Sequence, residues 1–445
     1  MAKTVISLTF PGQKAVGHLE HVHDHIPLST LLQYLALELL DSMESENDLQ
    51  DANRSEGAEN HVKMKKMKKK TGRIKRSLFV KKLSCFRSSD YGFPTINEVD
   101  GDGNVDMKSA STGGKHSPTH LVVMVNGLIG SAHNWRYAAK QFLKKYPEDI
   151  IVHCSERNSS LLTFNGVDVM GNRLANEVIS VIKRHPNLQK ISFIGHSLGG
   201  LIARYAIAKL YTRDSTDNHC LECTSSERIA GLVPINFITI ATPHLGTGGH
   251  KQVPMFGGSN TVEKIANQIS WVLGRTGRHL FLTDKAHGQP PLLLQMINDC
   301  EDLKFFSALQ SFRRHVVYAN AHFDHIVGWS TASIRRRNEL PRRKSLVRSG
   351  KYPHILKGEQ DTTVTIKQEN SINMQVSNFK AARASMEEAM IRGLTKINWE
   401  RIDVSFKGSK QRYFAHNTIQ VNTPWMNSDG ADVIQHLVDN FHLHF

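Results

Sequence analysis

The sequence predicts an α/β fold: a mostly parallel sheet flanked by helices, with a lid-like insertion and a disordered basic extension at its N-terminal end. Three observations predict it. From Thr119 onward, short β-branched apolar runs alternate with helical patterns. One junction between a run and a helix reads Gly195-His196-Ser197-Leu198-Gly199. The charge is uneven: the net is +15, and Lys63–Lys82 alone holds eleven Lys and Arg with no acid. The basic balance therefore describes an arm and not the folded part.

The elements follow in order. Residues 1–116 read as a largely disordered extension, with a basic arm at 63–87. Polar runs of that kind bury too little apolar surface to order themselves. Within them, Pro27–Met43 has helical periodicity. "HLVVMVNG" is a buried-type strand ending in Asn-Gly, and a helix pattern runs from His133 to Tyr146. "DIIVHCS" is a strand. Asp168 opens an amphipathic helix that stops near His185–Pro186, as a helix does before proline. "KISFIGHS" is a strand and Leu198–Tyr211 a helix. "PINFITIATP" and "RHVVYANAHFD" are further strands, and the chain closes with "WERIDVSF" and a helix over Gly430–Phe441. The folded unit is 117–445, with insertions at 248–312 and 335–397. The first insertion enters after "ATPHLG" and carries a large apolar load, including Phe256, Trp271 and Phe281, which makes it a candidate lid. The alternative is an extra packed subdomain.

Composition excludes some classes. Five dispersed cysteines argue against a disulfide scaffold and for a reducing compartment. No signal peptide or transmembrane span is visible, so an intracellular protein, cytoplasmic or peripheral to a membrane, is expected. The acids near the N-terminal end weaken a transit peptide, but plastid targeting stays open. Cys220 and Cys223, with His219, resemble half a zinc site, but a tetrahedral site needs four ligands. No metal and no organic cofactor is expected. The arm Lys63–Lys82, with apolar residues interleaved, suits an anionic membrane surface better than nucleic acid.

The pentapeptide at 195–199 fits a nucleophile elbow. There the serine occupies a strained turn, and a side chain at Gly195 or Gly199 would clash. The helix that follows favours negative charge near the hydroxyl. An oxyanion needs two backbone donors. Leu198 N–H, directly after the nucleophile, is one; Leu128 N–H, in the loop Asn126–Gly130 after "LVVMV", is the other. Gly127 lets that loop approach closely. A free serine hydroxyl is a poor nucleophile and needs a base, and the chain order expected here is serine, acid, histidine. Asp324 lies at the carboxyl end of a core strand, where open α/β sheets place their chemistry. Its rivals, Asp284 and Asp299, fall inside the first insertion. Among the histidines after the last strand, only His416 lies in the loop before the terminal helix; His436, His442 and His444 come too late. His196 is expected to point away from the serine, and His244 to line the pocket.

The motifs "VNGLIGSAHNW", "GHSLGGLIARYAI", "TPHLG", "YANAHFDHIVGW" and "AHNTI…DGADVIQHLVDNF" together resemble the DUF676 putative serine esterase family, in its plant-type variant. The resemblance runs from about Ser117 to Phe445. It implies an α/β-hydrolase fold and hydrolysis of carboxylic esters, with acylglycerols or other lipids as substrates. It assigns Ser197 as nucleophile, Asp324 as acid and His416 as base. The family's usual His-Gly before the oxyanion loop is Asn126-Gly127 here, which changes a side chain but not the backbone donor. No strand is evident before His120, so a shortened sheet is expected. The competing readings are a non-catalytic scaffold acting at a membrane or partner through the basic arm, and an acyltransferase using the same triad.

Overall fold

The computed structural model describes residues 95–99, 105–109, 117–213, 227–247, 273–285, 288–358 and 378–443. The basic arm, Pro27–Met43, Cys220–Cys223 and residues 248–272 lie outside them.

Six parallel strands form the centre of the sheet: β3 (His120–Val125), β4 (Ile150–Cys154), β5 (Lys190–His196), β8 (Val233–Ile240), β9 (Arg314–Asn320) and β12 (Trp399–Val404), in the order β4-β3-β5-β8-β9-β12. The first five in chain order are runs buried on both faces, as strands covered by helices on each side must be, whereas β12 carries Glu400, Arg401 and Asp403 and is buried only at Trp399, Asp403 and Val404. Alternate residues separate the two cores. Leu121, Val123 and Val125 of β3 face one, with α2 (Val167–Arg184) and α3 (Leu198–Leu210). Val122 and Met124 face the other, with α1 (Arg136–Lys145) and the terminal helix Ala431–Asp439. α2 stops at the residue before Pro186 in a non-helical His185, as the sequence requires.

The sheet is longer than expected, not shorter. The hairpin β1 (Thr95–Val99) and β2 (Val105–Ser109) adds two antiparallel strands beside β4. The folded unit thus reaches back before residue 117. At the other edge, β10 (Leu346–Arg348) and β11 (Ile355–Gly358) pair antiparallel with β12, giving ten strands in all. The segment 335–397, read as an insertion on the sheet, in fact extends the sheet with this hairpin. β6 (Tyr211–Arg213) and β7 (Glu227–Ile229) form a separate two-stranded ribbon.

The described part of the first insertion is packed, not detached. Leu293, Met296, Ile297 and Phe305 are buried in the same core as α3. The helix Gly274–Phe281 caps the start of α2: Thr276 Oγ1 accepts from Gly166 N at 3.0 Å and His279 Nδ1 from Val167 N at 3.1 Å. Among the described residues, no helix is long and apolar enough to cross a membrane.

Candidate active site

All parallel strands end their carboxyl termini on one edge, and the residues singled out above meet there. Ser197 follows β5 and precedes α3 with φ +53° and ψ −126°, a region a non-glycine residue adopts only under strain. The neighbours hold it there. Its N–H donates to Ile240 O at 2.8 Å. A Cβ on Gly195 would lie 2.6 Å from Gly200 Cα, and one on Gly199 would lie 2.2 Å from Val125 O. The turn closes only with glycine at both positions. A Cβ on Gly127 would lie 2.8 Å from Ser197 Cβ, so the loop Asn126–Gly130 rests directly on the serine.

His416 joins the other two. Its Nε2 is 2.9 Å from Ser197 Oγ and its Nδ1 is 3.1 Å from Asp324 Oδ2. Asp324 follows β9 by four residues, and its side chain is 2% exposed. Burial alone would raise its carboxyl pKa. The charge and hydrogen bond of His416, the Val327 N–H and Asn320 outweigh that and hold it below the usual range. The carboxylate accepts from Val327 N at 2.8 Å, Ile326 N at 3.1 Å and Asn320 Nδ2 at 2.9 Å. With an ionised acceptor at Nδ1, the imidazole carries its proton there. Nε2 is then left to accept the serine hydroxyl proton.

The two expected oxyanion donors lie at the start of α3 and in the loop that rests on Ser197. Leu198 N is the first amide of α3, where N–H groups have no acceptor within the helix. In the other loop, Ile129 N donates to Thr163 Oγ1 at 2.9 Å and Gly130 N to Gly127 O at 3.2 Å. Both neighbours of Leu128 N on the C-terminal side are thus engaged elsewhere. Asn126, in place of histidine, donates Nδ2 to Asn158 O at 2.8 Å and ties this loop to the segment after β4.

Two further residues brace the triad, and neither role was legible in the sequence. Asn320, the last residue of β9, donates both to Asp324 and to Ala415 O (3.1 Å), bracing the acid and the histidine segment together. His196, expected to point away from the serine, packs against His416. Its Nε2 donates to His416 O at 2.8 Å, and the two rings lie 4.8 Å apart. Burial, reinforced by the adjacent His416, drives its pKa down to about 3, so it stays neutral. In "YANAHFD" an asparagine at a strand end reads as a turn former; only its double contact reveals a role.

The rivals serve elsewhere. Asp284 accepts from Leu292 N, and Asp299 from Phe306 and Ser307 N; both start short helices. His436 contacts Tyr318 OH at 2.9 Å. His244 does not line a pocket: it is fully buried, with Nε2 2.8 Å from Thr239 Oγ1.

Relatives of known sequence are similar over about half of the chain. The protein named Putative lipase ROG1 of Saccharomyces cerevisiae is 34% identical over 220 residues, which is 48% of this chain and 28% of that protein. A protein of Schizosaccharomyces pombe, also named a putative lipase, is 26% identical over 226 residues, 48% of this chain and 26% of that one. The chain thus spans less than a third of the length of these curated relatives. Among solved structures, carboxyl esterase 2 of the mycorrhizal fungus Tuber melanosporum is 10% identical with a TM-score of 0.36, covering 80% of this chain and 90% of that one. Residues 115–334, which include Ser197 and Asp324 but stop short of His416, match the family described as Putative serine esterase (DUF676).

Proposed function

We propose that the protein is a serine hydrolase that cleaves carboxylic esters of lipid type through Ser197, His416 and Asp324. One observation carries the reading: His416 bridges Ser197 Oγ and the buried Asp324 carboxylate. In the forward step His416 Nε2 takes the Ser197 proton as Oγ attacks the ester carbonyl. Asp324 stabilises the imidazolium that forms. Leu198 and Leu128 N–H hold the oxyanion. His416 then gives its proton to the departing alcohol, leaving an acyl-serine. Water, deprotonated by His416, attacks that acyl group; the proton returns to Oγ and the acid leaves. The lipid class of the substrate is supported by the names of the relatives and by the exposed apolar residues around the site.

The test is labelling of the purified full chain with a fluorophosphonate probe. The wild type is expected to label and Ser197→Ala not to. An unlabelled wild type, or equal labelling of the variant, sinks the reading in favour of a non-catalytic scaffold. Product analysis with an added alcohol then separates hydrolysis from acyl transfer.

A further inference from the structure

Eight large apolar residues are exposed among the described residues, and six lie on the loops that build the site. Leu161 (65% exposed) and Leu162 sit in the single turn Ser160–Phe164, which is tied to the oxyanion loop by Ser160 N to Gly130 O and Ile129 N to Thr163 Oγ1. Ile326 is two residues past Asp324, and its N–H donates to that carboxylate. Tyr413 is three residues before His416 and packs edge-on against Phe323, which precedes Asp324. Trp425 (78% exposed) and Met426 top the loop after His416, which is joined to the oxyanion side by Asn134 and Asn422. The other two, Ile179 and Val347, lie on α2 and on the edge strand β10.

Charge accompanies this rim. Between Ser405 and Gly430 the chain carries Lys407, Lys410 and Arg412 against a single acid, Asp429, which accepts a hydrogen bond from Ser409. Lys407 and Lys410 are exposed, and the Arg412 guanidinium lies 4.5 Å from the Tyr413 ring centre. Apolar tips with an aromatic residue among them, fringed by cations, match the headgroup boundary of an anionic bilayer. A second copy or a protein partner seated on the same rim would stop the mouth of the site. A lipid surface would instead supply it.

We infer that the rim formed by Leu161, Leu162, Ile326, Tyr413, Trp425 and Met426 docks the site onto an anionic lipid–water interface. The inference rests on the hydrolase reading for its purpose but not for its measurement. The full chain is sedimented with phosphatidylcholine vesicles, with and without phosphatidylserine. Wild type is expected to bind, more tightly when phosphatidylserine is present. The triple variant Leu161→Ser, Leu162→Ser, Trp425→Ser is expected to bind about tenfold or more weakly, since each lost anchor removes apolar surface from the interface. Lys407→Glu with Lys410→Glu is expected to weaken the phosphatidylserine preference. Thermal unfolding of each variant, expected to match wild type, guards against loss of fold; should the triple variant unfold early, Trp425→Ser alone gives the same reading. Ser197→Ala is expected to sediment like wild type. Failure of fluorophosphonate labelling therefore leaves the surface standing, and failure of sedimentation leaves the hydrolase standing. Wild type that does not bind, or a triple variant that binds unchanged, overturns the inference. So does a triple variant whose only effect is to abolish self-association, which would assign the rim to a second copy.

Discussion

Asp324 illustrates how little a single residue can do alone. Its carboxylate receives two backbone N–H groups and Asn320 before it reaches His416, so its position is fixed independently of the imidazole. Asp324→Asn should keep that position and present a donor where an acceptor is needed, which forces the wrong tautomer on His416. A fall in kcat of about a thousandfold to ten-thousandfold on a soluble ester is expected, with KM little changed. A fall of less than tenfold would remove Asp324 from the mechanism. His196 acts one step further out, through the backbone of His416. His196→Leu should lower kcat by about tenfold, the scale of one neutral hydrogen bond; His196→Gln, which keeps a donor, should restore part of it. Equal kcat for the two variants would show that the donor is irrelevant. Ser197, Asp324 and His416 could be found in the sequence because their order and their place at strand ends are set by the topology. Asn320 and His196 could not, because a buried polar side chain is defined by its partner, and these partners are 95 and 220 residues away.

At the level of elements, the junction of β5 with α3 is built on contacts too close for any side chain. Gly199→Ala would drive a methyl into the carbonyl of Val125, backbone that cannot step aside. A loss of about 3 kcal/mol or more is expected. Gly231 gives the contrast. It also has positive φ (+80°), but nothing lies within 4 Å of its Cβ position. Gly231→Ala should cost only the backbone strain, about 1–2 kcal/mol. Chemical denaturation of the two variants checks the ranking, and an equal cost would refute the steric account. Five of the six parallel strands were legible because a strand buried on both faces is a largely apolar run; β12, WERIDV, showed itself by its apolar positions at Trp399, Ile402 and Val404. The edge hairpins were not: "TINEV", "VDMKS" and "LVR" carry no such run. An edge strand needs fewer apolar residues and tolerates charge, so its sequence resembles a loop.

Across the whole molecule, one buried polar group fastens the β1–β2 edge. Asp106 of β2 contacts His153 Nδ1 (2.7 Å), Arg184 Nη2 (2.7 Å) and His185 Nε2 (2.9 Å), and His153 Nε2 faces Glu177 (3.1 Å). Burial by itself would lower the His153 pKa. The hydrogen bonds and charges of Asp106 and Glu177 raise it to about 9. The same contacts hold both carboxyls below their usual range despite burial. A raised histidine pKa adds stability that is complete below its ordinary value of 6.5 and is lost as pH climbs through about 9. Depressed carboxyls add stability that disappears on acidification. The melting temperature should therefore decline from pH 6.5 to 9, and His153→Gln should flatten that decline. An unchanged slope in the variant would place the dependence elsewhere. Nothing in the sequence announces this group, whose members come from three separate elements.

The histidine and the strand that delivers it also determine what breaking the chain would do. β12 joins the sheet only through β9 on one side, in six registered pairs, and through the β10–β11 hairpin on the other. His416 lies twelve residues beyond it. Any cut between Asp324 and His416 leaves Ser197 and Asp324 on one piece and His416 on the other. On the hydrolase reading, turnover then becomes a signal that the two pieces have found each other, which makes this gap the natural place to divide the protein into complementing halves.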